Sequence, residues 1–164
     1  MITEKRSKHI LGVARKAKEL ALKLKPNDEK YAEDMFLLGF LHDFGYEFVE
    51  SNAKHAFVGG EILRRSGYKY WKPVALHSDE TVQNMSDELF ILNCADKMTG
   101  PSGENFTFEE RLNELASRFG QDSMVYKKAA MLTEILENDA RYKKLFEKSD
   151  HCSHLVKDKS NGYF

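Results

Sequence analysis

Apolar residues recur at steps of three and four along most of this chain, alternation at every second residue is almost absent, and only three prolines interrupt it. That periodicity belongs to helices that bury one face, and it predicts an all-α fold. A first helix is expected over about residues 5–24, with Ile10, Val13, Ala17, Leu20 and Leu24 on its inner stripe and Pro26 ending it. His9 falls beside that stripe, one turn before Val13. Residues 27–30 open a second helix with acidic groups in its first turn. It then turns apolar on nearly all sides, the pattern of a central buried helix, until Gly45 can end it. Further helices are expected at about 54–65, closed by Ser66 and Gly67, at 73–77 with Pro73 in the first turn, and at 86–98 with Ser86 as N-cap. Thr107 and Glu110 fit a capping box for the next, and another spans about 124–136. Residues 99–105 form the one marked loop, and the polar stretch 149–164 has no assigned element.

At 164 residues the chain suits one domain with a substantial core. Apolar residues make up 41%, charged residues 31%, and the net charge is −1, which excludes disorder and a general attraction to nucleic acid. No basic stripe or aromatic-basic motif is present, so no nucleic-acid partner is expected. The N-terminal residues lack the apolar segment of a signal peptide and no apolar run approaches a membrane span, so a cytoplasmic protein with no membrane partner is expected. Cys94 and Cys152 match neither a disulfide framework nor a paired zinc motif and are taken as reduced thiols.

The chemistry lies where polar residues occupy apolar stripes. His42 and Asp43 close the greasiest segment of the chain with no polar spacer. His9, His55 and His77 lie on or next to apolar faces, and Asp96 falls four residues after Leu92 and seven after Leu89. Each has an ordinary reading alone: a core or surface histidine, a helix-terminal pair, or an aspartate paired with Lys97. Together they place six such groups inward on different helices. A buried carboxylate without a partner costs several kcal/mol, and metal ions offset that cost most economically. Imidazole nitrogen and carboxylate oxygen suit Fe, Mn, Zn, Co and Ni, and one carboxylate can bridge two ions. Neighbours on a helix point about 100° apart, so Asp43 can reach a second ion while His42 holds the first.

The ordered set His9, His42-Asp43, "HAFVGGEIL" from His55, "LHSDE" from Leu76 and "NCADKM" from Asn93 resembles the HD-domain superfamily of metal-dependent phosphohydrolases over about residues 6–100. The resemblance implies a single all-α HD-domain bundle across 1–164, with a metal-binding core at 6–100, C-terminal helices at about 107–148 and a tail at 149–164. "HILGVARKAKELA" and "HAFVGGEIL" look most like the YqeK-type branch, which hydrolyses diadenosine tetraphosphate symmetrically to two ADP. That branch implies His9, His42, Asp43 and Asp96 on one iron and Asp43, His55 and His77 on the other. Its usual Thr/Gly-rich stretch and "EP" pair are replaced here by "HSDETVQNMS" and "MTGPSG" on the substrate side.

The function expected is hydrolysis of a phosphoester or phosphoanhydride in a small phosphorylated molecule, a nucleotide by preference, with two divalent ions, Fe or Mn, as cofactors. Paired ions lower the pKa of a shared water from 15.7 to about 7 and offset charge growing on phosphate oxygens. Asp43 and Lys97 are the catalytic candidates; Lys54 and Lys97 are the substrate-side cations, ahead of Arg64 and Arg65, which read as solvated surface charges. The aromatic run 68–71 can stack a base, although a lid on the core suits it better. Two rivals share the ligand set: an HD-fold diiron oxygenase and a non-catalytic, metal-stabilised binding protein. The His-Cys-Ser-His run at 151–154 sits on a polar stretch and reads as incidental.

Overall fold

Most helices begin where a short polar side chain takes an otherwise unpaired N–H. In the computed structural model, which describes residues 2–50 and 52–147, Thr3 does this for α1 (Glu4–Leu24) and Asp28 for α2 (Glu29–Leu41). Short 3₁₀ turns at Phe44–Glu47 and Asn52–Lys54 lead into α3 (His55–Arg65), followed by α4 (Trp71–Leu76). Ser86 caps α5 (Asp87–Lys97), and the full capping box of Thr107 and Glu110 opens α6 (Phe108–Phe119). Ser123 and Asp139 cap α7 (Met124–Glu137) and α8 (Ala140–Phe146). The described residues thus hold eight α-helices and no strand, only an isolated bridge between Thr99 and Asn105. Cys152 and the run at 151–154 lie outside the described residues.

α1 packs along α2 and against α5, α3 pairs with α4, and α5 also touches α2, α4 and α7. One connected core results, with Val13, Leu20, Met35, Leu38, Val74, Phe90, Ile91, Leu92, Leu132 and Leu136 at its centre. α5 is its axis: every residue from Leu89 to Asp96 is buried. Tyr68, Tyr70 and Trp71 pack against this core, as a lid would. Cys94 is buried in α5, and burial pushes its thiol up, out of reach of thiolate chemistry. No helix among the described residues is long and apolar enough to cross a membrane.

Two expectations for the second helix are corrected. It is not buried all round: Leu37 and Phe40 are 45% and 49% exposed, because α1 and α5 cover other flanks and leave theirs to solvent. Nor does it run to Gly45. His42 keeps helical angles, Asp43 does not (φ −97°, ψ 5°), and a 3₁₀ turn follows. The cause is tertiary: Gly45 passes against the start of α3, where a Cβ would collide with the His55 carbonyl and lie 2.8 Å from Gly59 N. That close approach brings His55 to Asp43.

Candidate metal centre

Helix ends leave carbonyls without intrahelical partners, and here histidines use them. His42 Nδ1 lies 2.6 Å from the Gly39 carbonyl in the last turn of α2, and His77 Nδ1 lies 2.7 Å from the Val74 carbonyl in the last turn of α4. His9, in the second turn of α1, reaches the Gly100 carbonyl at 2.9 Å, across 91 residues of sequence. A carbonyl only accepts, so each Nδ1 carries a hydrogen and donates it. In the neutral ring, each Nε2 is then a lone pair.

Those Nε2 atoms converge on two buried carboxylates. Asp43 Oδ1 is 3.3 Å from His42 Nε2, 3.5 Å from His55 Nε2 and 3.6 Å from His77 Nε2. Its other oxygen, Oδ2, lies 3.8 Å from His9 Nε2. Asp96 Oδ1 is 3.2 Å from His9 Nε2 and 3.8 Å from His42 Nε2. Two groups emerge, His9 with His42 and Asp43, and Asp43 with His55 and His77, each with ligand atoms within 4.8 Å of one another. Asp43 belongs to both.

The protonation states leave imidazole lone pairs facing the carboxylates. Burial drives the His42 imidazolium pKa down to about 4, so the ring is neutral at pH 7 and its short contacts with Asp43 and Asp96 are not ion pairs. Its Nε2 is fully buried with no hydrogen-bond partner, a lone pair facing two carboxylates. His55 Nε2 and His77 Nε2 stand 3.1 Å apart, so they share a hydrogen or face a common cation. Burial alone would raise the Asp96 carboxyl, but Lys97 and His9 outweigh it and keep the group ionised. His9 is shifted the other way: burial opposes its protonation, and Asp96 more than compensates. Nitrogen and oxygen donors at this density fit divalent metal ions.

All six residues singled out as ligands from the sequence therefore meet at one place. Lys97 is there too, donating to Asp96 Oδ2 at 2.7 Å. Lys54 is exposed at the N-cap position of α3, beside His55, and among the described residues no hydrogen bond or ion pair joins it to the site. Arg64 pairs with Glu61 on the surface at 3.0 Å. Sequence reasoning missed four groups. Arg6 Nη1 donates to Asp43 Oδ2 at 2.7 Å, and its guanidinium lies 3.8 Å from the centroid of Tyr46. Tyr46 stacks on His55, ring centroids 4.0 Å apart and 13° from parallel. Ser78 and Asn93 complete the far side. Only Arg6 carried a sequence signal, its position one helical turn before His9.

A helical fold whose buried histidines and aspartates share one centre defines a class of metal-site proteins. Within that class, a family model of the HD domain matches residues 6–100, more than half of the chain, and this protein belongs to that family. Its members are, as a rule, divalent-metal-dependent phosphohydrolases, and the His/Asp groups here are compatible with that chemistry. No curated protein and no solved structure matches the chain.

Proposed function

We propose that the protein hydrolyses a phosphoester or phosphoanhydride of a small nucleotide-like molecule, with a dinucleoside polyphosphate of the YqeK-type reaction as the first substrate to try. The observation that carries this reading is the shared position of Asp43 between two histidine groups, one of which contains the unpartnered Nε2 of His42. His9, His42, Asp43 and Asp96 would hold one divalent ion, and Asp43, His55 and His77 a second, Fe or Mn by preference. Bound ions would supply Lewis acidity and make a coordinated water acidic enough to ionise near neutral pH.

The chain's own groups do the rest. The Nδ1–H bonds of His9, His42 and His77 fix each ring's tautomer and direction before substrate arrives. Arg6, its side chain 33% exposed beside Asp43, offers a fork of donors to a phosphate at the mouth. Lys97, with 13% of its side chain exposed, adds a second cation on the Asp96 side. Tyr46 covers His55 and shields that edge from bulk water.

The test is metal analysis of protein purified without chelators, followed by a phosphate-release screen of the same sample across dinucleoside polyphosphates, mononucleotides and phosphomonoesters. Near two Fe or Mn per chain with release from a dinucleotide supports the whole reading. Release from mononucleotides alone discards the branch and keeps the hydrolase. Oxygen consumption without phosphate release overturns hydrolysis. In an active sample, Arg6→Ala should raise KM about 10–100-fold, the loss of a charge-assisted hydrogen bond, and Arg6→Lys should recover only part of it.

A further inference from the structure

His77 follows the short helix α4, and the next residue, Ser78, holds a backbone φ of 63°. Glycine adopts that left-handed region without cost, whereas serine does not. Two hydrogen bonds keep it there. The Ser78 N–H donates to Asn93 Oδ1 at 2.8 Å, and the Ser78 hydroxyl donates to Asp96 Oδ2 at 3.1 Å. Both acceptors lie on α5, three residues apart and so on one face, and Asn93 is fully buried. Lys97 Nζ closes the network, donating to Ser78 Oγ at 2.9 Å and to Asp96 Oδ2 at 2.7 Å.

The carboxylate is thereby made asymmetric. Oδ2 receives two donors, while Oδ1 is turned toward His9 Nε2 and His42 Nε2 at 3.2 and 3.8 Å. A side chain kept in a conformation that favours glycine points to a use for its hydroxyl. We propose that Ser78 is a positioning residue of the metal centre: with Lys97 it holds Asp96 so that one oxygen, Oδ1, faces the ion of His9 and His42. Its backbone, pinned to Asn93, fixes where the preceding His77 stands on the other side. Ser78 ties the two halves of the centre together. This role rests on the metal-binding reading above.

The experiment is a Mn²⁺ titration of the full-length, metal-stripped chain as wild type, Ser78→Gly and Ser78→Ala, with the melting temperature of each metal-free protein measured in parallel. Ser78→Gly relieves the backbone and removes the hydroxyl, so its metal-free melting temperature should equal or exceed that of wild type while Mn²⁺ affinity falls about 10–100-fold, the usual effect of losing an outer partner of a ligand. Ser78→Ala should lose the same affinity and be the less stable of the two. A role confined to the turn gives a different result: Ser78→Gly would bind Mn²⁺ as tightly as wild type, which overturns the proposal and leaves the metal centre intact. A wild-type chain that binds no Mn²⁺, Fe or other divalent ion overturns the metal reading, and this inference with it.

Discussion

Asp43 concentrates the conflict between stability and chemistry. It is an ionised carboxylate, 4% exposed, with three imidazole nitrogens within 3.6 Å of one oxygen. Burying such a charge costs stability even with Arg6 2.7 Å from its other oxygen, and such cost collects where function needs it. Asp43→Asn keeps the shape and replaces the charge with an amide that cannot serve as an anionic bridge. The expected outcome is loss of both ions by elemental analysis. His55→Ala should remove one ion and spare the other; an unchanged metal count would leave Asp43 without a bridging role. The six clustered donors were legible because histidine and aspartate on an apolar stripe break the pattern of their own helices. Arg6, Ser78 and Asn93 break nothing: a cation near a helix start, a serine in a polar loop and an asparagine beside a cysteine are ordinary residues until the fold sets them around Asp43 and Asp96.

Capped helices here start where the sequence says and stop where their neighbours allow. Caps are local, so Ser86 and Thr107 could be read directly; α4, which has no side-chain cap, begins at Trp71 and ends at Leu76 rather than spanning 73–77, and the end of α2 depends on α3, a contact no window of sequence contains. Gly45→Ala tests that dependence. With a Cβ forced against the His55 carbonyl and Gly59 N, α3 must shift, so the variant should lose the ion held through His55 and His77 before the one held through His9. The short α8, not separately foreseen, is fastened by a cap and a clasp. Asp139 accepts from the Arg141 N–H at 2.9 Å, and the Arg141 guanidinium reaches Asp139, Asp87 and the Met85 carbonyl at 2.7, 2.9 and 3.0 Å. Asp139→Ala should cost about 1–2 kcal/mol at pH 7. Hydrogen bonding from Arg141 lowers the folded-state pKa of Asp139, so its contribution is present above the unfolded value near 4 and is lost as pH falls through the folded one. Thermal unfolding of variant and wild type should therefore converge as pH falls through that lowered value; a constant gap would mean that the carboxylate charge contributes nothing.

For the molecule as a whole, bound metal and folding are linked. An ion that binds only the folded chain adds about 2.7 kcal/mol at one hundred times its dissociation constant, and for a chain of this size each kcal/mol moves the melting temperature by about 2–4 °C. Chelation followed by desalting should lower the melting temperature by roughly 5–10 °C, and Mn²⁺ should restore it. The same transition with and without chelator would mean that no ion bridges the helices. The overall all-α architecture was readable from periodicity alone, since apolar spacing of three and four recurs in segment after segment and leaves little choice but a bundle. Which faces meet was not, because α2 is greasy on every side and only the positions of α1 and α5 decide that Leu37 and Phe40 stay outside. One contact also orders events in time. The tautomer of His9 is set by a carbonyl 91 residues downstream, so its Nε2 becomes a defined donor only once α5 and the loop beyond it have docked against α1. Metal capture through the proposed site would then report that docking, and during refolding the coordination signal should rise with the recovery of tertiary structure, after helical content has returned.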